Sequence, residues 1–243
     1  MKGRRGVTLL ELLLAVSLLA LLSAGILTAL HVGVSAMDKA NARLMDNRRL
    51  AGVQRILEGE IAGFVPVVAA CTASGEGPPE ALPFFQGEPE SMRFVSAYSL
   101  AEGWRGYAQI LEYQVIPGER GEGVRLVVNE HLYTGPLGAG AFCLGTVASL
   151  DAGVRVPVFR PIQTGQGSFV LADRLASCRF RFRQTVPPPA RERWVDHWIW
   201  PQWPSAVRIE MEPLAVNAVR IPPMSITAPI RVNAQPRLQY GGY

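Results

Sequence analysis

Residues Gly6-Val7-Thr8-Leu9-Leu10-Glu11 separate a basic leader, Lys2-Gly3-Arg4-Arg5, from an apolar run that extends from Leu12 to Val34. The run contains no Asp, Glu, Lys or Arg, and about 20 apolar residues are enough to cross the hydrocarbon core of a bilayer. Because cations precede the run, the positive-inside rule places the leader in the cytoplasm and the remainder of the chain across the membrane. The sequence therefore predicts one transmembrane helix over residues 7–34.

Glu11 is the unusual side chain of this segment. A carboxylate inside a membrane helix costs several kcal/mol unless it is paired, so it indicates a functional site. Cleavage after Gly6 would create an amino group on Val7, which could pair with Glu11 of a neighbouring subunit in a helical bundle. The alternatives are a secretory signal peptide, whose apolar region is roughly 7–15 residues long, and a simple signal anchor. We therefore predict that Glu11 acts in assembly.

This N-terminal segment resembles the class III signal of type IV pilins and type II secretion pseudopilins. The glycine, the Thr-Leu-Leu-Glu sequence and the apolar stretch match, whereas Val7 stands where the family usually has Phe. The resemblance implies that residues 1–6 are a prepilin leader. It also implies that a prepilin peptidase cleaves between Gly6 and Val7 and methylates the new N-terminus of Val7.

The composition of the 243-residue chain predicts one head domain on one helical spine. With 49% hydrophobic residues, the part beyond a spine of about 60 residues is long enough to form a core. The chain has 24 basic and 20 acidic residues, and three of the basic ones lie in the leader. A mature chain would thus be close to neutral, which gives no electrostatic reason to expect nucleic acid as a partner.

The spine is predicted to continue beyond the membrane over residues 35–62. No proline occurs before Pro66, and helix-forming residues dominate. Leu50, Val53, Leu57 and Ile61 recur at three- and four-residue steps, which is typical of an amphipathic helix that lays one face on a domain. We expect this periplasmic part of the spine to pack against the head.

The head, residues 63–243, is predicted to be rich in β-strands. Alternating apolar residues indicate strands over 91–98, 107–116 and 124–131, the last two joined as a hairpin through Gly118–Gly123, and closing strands over 205–212 and 225–232. The Pro-, Gly- and Ala-rich segment 63–86 is expected to be a loop. The predicted fold class is α+β, with a long N-terminal helix packed against an antiparallel sheet.

Three cysteines are present in a chain predicted to enter a compartment that permits disulfides. Cys178 alternates with Phe180 in a strand pattern and is expected in the core. Cys71 and Cys143 lie in loop-like contexts. The sequence is compatible with a Cys71–Cys143 disulfide and equally with two free thiols. No C-x-x-C motif or histidine cluster accompanies them, so we expect neither a metal nor another cofactor.

A second signature lies near the C-terminus and comprises Leu175–Gln184, Trp194–Trp198 and Trp203–Met211. It resembles the J-type minor pseudopilins of type II secretion systems, in which an aromatic strand, a Trp-containing hairpin and a Leu-Pro-x-Ala-Val-Arg strand follow one another. Trp203 replaces the usual Leu, while Pro204, Ala206, Val207 and Arg208 keep the pattern. W-class minor pilins of type IV pili share much of this plan.

Four tryptophans fall within or beside this signature: Trp194, Trp198, Trp200 and Trp203. Their large apolar area suits either a core or a surface that binds a partner. The sequence leaves both alternatives open.

The two resemblances together imply a non-enzymatic subunit of the pseudopilus tip in the bacterial inner membrane, with a single span and a periplasmic C-terminal domain. The implied partners are the I- and K-type minor pseudopilins, the major pseudopilin and the prepilin peptidase. A W-class minor pilin is the closer alternative. A membrane-anchored periplasmic enzyme is the more distant one, because Asp196-His197 has no accompanying nucleophile motif.

Overall fold

A computed structural model describes residues 8–72, 77–100, 104–148, 155–165, 167–185, 192–214 and 223–231. The chain divides between Ala51 and Gly52 into two compact units. A single α-helix, α1, covers Leu9–Ala62 and contributes to both units. Because no proline interrupts these 54 residues, each backbone N–H beyond the first turn can donate to the carbonyl four residues earlier.

The second unit is built largely of antiparallel strands. Their bounds are β1 Val68–Cys71, β2 Glu80–Pro83, β3 Gln86–Gly87, β4 Ser91–Ser99, β5 Trp104–Pro117, β6 Val124–Leu132, β7 Cys143–Ala148, β8 Arg155–Phe159, β9 Phe169–Thr185, β10 Glu192–Val195, β11 Ala206–Pro213 and β12 Met224–Pro229. A short helix, α2, covers Pro136–Gly140, and a 3-10 turn covers Glu119–Gly121. The architecture is α+β, as the sequence predicts.

The main sheet has eight strands in the order β12-β11-β9-β6-β5-β4-β3, with β10 paired to β9. The predicted hairpin is confirmed, since β5 and β6 pair over nine positions, including Tyr113 with Val128. Gly123 has a φ of 63°, and a Cβ on it would lie 2.3 Å from the Leu175 carbonyl oxygen. Only glycine fits both the backbone conformation and the space at this turn.

The prediction of a loop over residues 63–86 is wrong. β1 and β2 lie within this segment and pair with each other, with Ala69 opposite Leu82. Both side chains are buried in a small second core. Contacts with distant parts of the chain stabilise these four-residue strands, and a local Pro- and Gly-rich composition does not reveal such contacts.

One face of the main sheet packs against the end of α1. Val53, Leu57 and Ile61 are buried there and line up along one side of the helix. The sheet contributes inward-facing aromatic side chains, among them Phe94, Tyr113, Phe180 and Phe182. From Val53 onward, the predicted amphipathic face is therefore the face that packs against the head, and the side chain of Leu50 lies outside those that the structure describes.

Trp198 joins the far end of the sheet to the β10 region. It forms an isolated antiparallel bridge with Gly87 of β3, and its backbone N–H donates to the Gly87 carbonyl at 2.8 Å. A Cβ on Gly87 would lie 2.8 Å from the Phe182 ring, so a larger residue would push these strands apart. This bridge gives β3 a second backbone partner beside β4.

The other face of the sheet carries two small sheets, β1-β2 and β7-β8. A disulfide joins Cys71 of β1 to Cys143 of β7, with their Cα atoms 5.7 Å apart. These are the two cysteines for which the sequence left pairing open, and both lie in strands instead of the expected loops. Cys178 is buried as a free thiol, as expected.

Replacing Cys71 and Cys143 together by alanine should destabilise the head. The bond spans 72 residues, and the chain-entropy model gives about 4 kcal/mol for a loop of that size. Denaturant unfolding of both proteins, each with and without a reducing agent, measures this loss. Cys178→Ala is the matched control and should keep the response to reduction. An unchanged unfolding midpoint in the double variant would contradict the prediction.

Trp198→Ala should cost about 3–5 kcal/mol of unfolding free energy, because it empties a buried aromatic position. Trp194→Ala also removes a tryptophan, but from a half-buried position. The main loss there is the cation–π contact with Arg208, so the unfolding free energy should fall by about 1 kcal/mol. Denaturant unfolding of both variants tests the difference. Equal losses would show that Trp198 does not hold the sheet together.

Candidate functional site

The first turn of α1 is fixed by Thr8. Its carbonyl oxygen accepts hydrogen bonds from the N–H groups of Glu11 at 3.1 Å and Leu12 at 3.2 Å, and its hydroxyl oxygen accepts from the Glu11 N–H at 3.3 Å. Thr8 is therefore the N-cap, a position that threonine favours. Glu11 lies in the first turn, where the helix dipole favours a negative charge. The same short sequence thus begins the helix and presents a carboxylate.

Glu11 is exposed within this single chain, and no salt bridge to it occurs among the residues that the structure describes. An exposed carboxylate in this segment can meet a cation only from outside the described residues. The predicted cleavage site, Gly6 and Val7, and the leader 1–6 lie outside those residues.

The segment Leu9–Asn41 is long and apolar enough to cross a membrane, with a mean hydropathy of 2.4. None of its most apolar window is buried by the rest of the chain. Two of its hydroxyl groups bond within the helix, Ser17 to the Leu14 carbonyl at 2.9 Å and Thr28 to the Ala24 carbonyl at 2.7 Å. Such an apolar surface is suited to lipid or to other helices, since the backbone groups of a helix bond to one another and do not need water.

The four tryptophans do not form one surface. Trp198 lies in the core, with its ring centroid 6.2 Å from that of Phe85, and its indole N–H donates to the Gln202 carbonyl at 2.7 Å. Trp203 packs at the edge of the same core against Phe64, with ring centroids 6.3 Å apart. These two tryptophans stabilise the fold, which is one of the two alternatives that the sequence left open.

Trp194 and Trp200 are half-buried and each lies near an arginine. The Arg208 guanidinium lies 4.1 Å from the Trp194 ring centroid, and Arg193 lies 5.9 Å from that of Trp200. Both arrangements give cation–π contacts at the surface. Trp203 is half-buried as well, so all of the four predicted residues except the buried Trp198 are accessible enough to contribute to a partner surface.

An open cleft of about 250 Å³ lies between β3, β8 and the loop that follows β10. Its lining is mainly apolar and includes Phe85, Val147, Val156, Phe159, Trp198, Ile199 and Trp200, with Glu88 and His197 as polar members. Val147 and Ile199 are exposed. The cleft can accept an apolar side chain. Trp200 lines it together with the exposed Val147 and Ile199.

A buried polar network lies between the main sheet and the β7-β8 sheet. Arg93 is fully buried and donates to Glu112 through Nε at 2.8 Å and to the Arg160 carbonyl at 3.0 Å. Its guanidinium lies between the rings of Phe142 and Phe159, at 5.4 and 5.2 Å from their centroids. Arg93 therefore anchors the segment around β7 and β8 to the sheet.

The same network sets the charge of Glu112. Burial alone would raise the pKa of Glu112, but the Arg93 guanidinium and hydrogen bonds from Asn129, Arg93 and His131 hold that pKa below its usual value. The His131 ring contacts Glu112 through Nε2 at 3.1 Å. Asn129 also donates to the Gln163 carbonyl at 2.9 Å. The carboxylate stays ionised and holds several segments together.

Asp196 and His197 have separate surroundings, and no catalytic constellation includes them among the residues that the structure describes. Asp196 accepts a hydrogen bond from Arg181 Nε at 2.9 Å, whereas His197 lines the cleft. Within the described ranges, no group of three or more His, Cys, Asp or Glu side chains could hold a metal ion.

Sequence analysis missed the buried charged residues Arg93, Glu112 and Glu60. Arg93 and Glu112 each interrupt an apolar strand, and they lie directly opposite each other in the β4–β5 register. Glu60 stands three residues after Leu57 and so falls on the buried stripe of α1. A charge at a position that periodicity assigns to the core is the signal that could have identified them.

The prokaryotic N-terminal methylation motif matches residues 1–27. No curated protein matches the sequence. The match covers the basic leader, the Gly6–Val7 junction, Glu11 and the apolar run from Leu12 as far as residue 27. The chain thus carries the prepilin-type N-terminus of type IV pilin-like proteins, followed by a helix that is suited to anchor it in a membrane.

Proposed function

We propose that the protein is a minor pseudopilin of a type II secretion system, of the J type. It is a structural subunit of the pseudopilus tip that primes assembly and supports the export of folded proteins across the outer membrane. The observation that carries this proposal is the combination of a methylation motif with an unburied apolar helix that presents Glu11 in its first turn. Such a helix needs neighbouring helices to satisfy its carboxylate.

The C-terminal signature supports the choice of the J type. Its three parts correspond to β9, β10 and β11, and both β10 and β11 pair directly with β9. The motif residues Ala206 and Val207 are buried, whereas Arg208 lies on the outer face over Trp194. The resemblance therefore concerns one contiguous part of the head that includes both core and surface positions.

The proposed location is the bacterial inner membrane, with the leader in the cytoplasm and the head in the periplasm. The basic leader supports this orientation through the positive-inside rule. The Cys71–Cys143 disulfide agrees with it, because disulfides persist in the periplasm and are rare in the cytoplasm. Prepilin peptidase would remove residues 1–6 and methylate Val7.

The proposed mechanism is assembly and not catalysis. Glu11 pairs with the N-terminus of a neighbouring subunit and sets the register of the helices, while the apolar surface of the spine packs against sister spines. The head presents Trp194, Trp200 and the apolar cleft to the I- and K-type minor pseudopilins at the tip. The major pseudopilin then extends the filament below them.

Glu11→Gln should leave leader removal intact but reduce incorporation into the tip complex. Breaking a buried ion pair costs about 3–5 kcal/mol, so recovery with partner pseudopilins from membranes should fall at least tenfold. Intact mass reports loss of residues 1–6 and addition of one methyl group. Ser17→Ala is the control, because the Ser17 hydroxyl bonds within its own helix turn, to the Leu14 carbonyl. Normal recovery of the Glu11 variant would contradict the charge-pairing mechanism.

Deletion of the gene should abolish the release of exported proteins into the medium and leave surface pili and twitching intact. The measurement scores exoproteins and pili in the same cultures, and a plasmid copy of the gene should restore secretion. Lost pili with normal secretion would overturn the secretion proposal and identify a minor pilin of a type IV pilus system instead.

A further inference from the structure

Glu60 is a fully buried carboxyl group at the end of α1. Its Oε2 accepts a hydrogen bond from the Tyr113 hydroxyl, whereas no hydrogen-bond partner for Oε1 occurs among the described residues. A buried carboxylate needs several donors or a cation to offset its loss of hydration. The single hydrogen bond from Tyr113 does not offset the cost of burying a negative charge at this position.

Among the residues whose side chains the structure describes, no cation balances Glu60. The titratable groups that act on it are Tyr113 from β5 and Glu130 from β6, and the charge of Glu130 opposes ionisation of Glu60. Tyr113 itself is held in the core by the rings of Phe94 and Phe180, with centroids 5.9 and 6.1 Å away. The site therefore favours the neutral acid.

The segment that carries Glu60 is attached to the sheet by a small number of hydrogen bonds. The Ser96 hydroxyl donates to the Glu60 carbonyl at 2.7 Å, and the Ala97 N–H donates to the Gly63 carbonyl at 2.8 Å. The Val65 N–H donates to the Val95 carbonyl at 2.8 Å. The helix ends at Ala62, so these bonds and the burial of its last turn define the helix–sheet junction.

We propose that Glu60 is a pH-sensitive latch of this junction. While its carboxyl group is protonated, the last turn of α1 remains docked on β4 and β5. Loss of the proton places an unbalanced charge in the core and releases the turn. The latch belongs to the fold of the head and does not depend on the secretory role proposed above.

The direction of the pH effect follows from proton binding. Burial, opposed by the Tyr113 hydrogen bond and reinforced by Glu130, raises the pKa of Glu60 from 4.5 to about 8. In the released segment the group is hydrated and its pKa returns to the ordinary value. Between these two values the docked state binds a proton that the released state lacks, so docking weakens about tenfold per pH unit as the pH rises. Above about pH 8 the effect levels off.

Hydrogen exchange of the full chain in lipid nanodiscs tests the latch. After correction for the intrinsic exchange rate, protection of the amides of Gly63, Val65 and Ala97 should fall about tenfold per unit from pH 5.5 to 8. Glu60→Gln should remove this slope. Glu58→Gln is the matched control, because Glu58 is an exposed glutamate on the same turn and should leave the slope unchanged.

Two results of that experiment would overturn the proposal. One is an equal slope in the wild-type protein and the Glu60 variant. The other is a parallel loss of protection in the β9–β11 ladder, which would indicate global unfolding and not release of one turn. Amides of β11 such as that of Ile209 should instead remain protected.

A direct titration keeps the proposal testable if the Glu60 variant does not fold. The ¹³C signal of the Glu60 carboxyl group in the wild-type chain should titrate near pH 8, and a midpoint near 4.5 would overturn the latch. Tyr113→Phe should move the midpoint higher, because the Tyr113 hydrogen bond lowers the pKa of Glu60. A lower midpoint in that variant would likewise contradict the assignment.

Discussion

Burial of the last turns of α1 against the sheet is the contact on which the head depends. Val53, Leu57 and Ile61 occupy the face of the sheet that also contains Tyr113 and Phe180. Without the helix, these inward side chains would meet water, at a cost of roughly 25 cal/mol per Å² of apolar surface. Helix and sheet are therefore parts of one core, and the sequence pattern that makes the helix amphipathic also specifies where the sheet must lie.

The two faces of the sheet are stabilised by different means. The helix face is apolar and aromatic, with Glu60 as its one carboxyl group among the described buried residues of that face. The opposite face combines a small apolar core with the Arg93–Glu112 pair and the disulfide. Arg93 and Glu112 are paired and hydrogen-bonded, so their burial is tolerated. The contrast explains why the pKa of Glu112 is lowered while burial raises that of Glu60.

Sequence patterns predicted the elements whose signals are local. The absence of proline before Pro66 indicated the long helix, and alternation with a Gly118–Gly123 turn indicated the β5–β6 hairpin. β1 and β2 were missed because tertiary burial, and not their composition, makes them strands. Glu60 and Tyr113 are 53 residues apart, so their contact could not be inferred from spacing. Of the candidate site, the sequence located the motif and Glu11, but it could not separate the core tryptophan Trp198 from the surface tryptophan Trp194.

The two edge strands of the main sheet, β3 and β12, differ in what lies beside them. Trp198 covers β3, whereas β12 has one neighbour, β11, among the described strands. The Ile230 N–H donates to the Ser205 carbonyl. Successive residues of an antiparallel strand point their backbone polar groups to opposite sides, so those of Pro229 point away from β11, toward the free side of β12. Proline has no N–H to donate, which removes one docking point for a foreign strand. Pro229 thereby makes β12 a poorer template for edge-to-edge aggregation, a particular hazard for chains concentrated in the plane of a membrane.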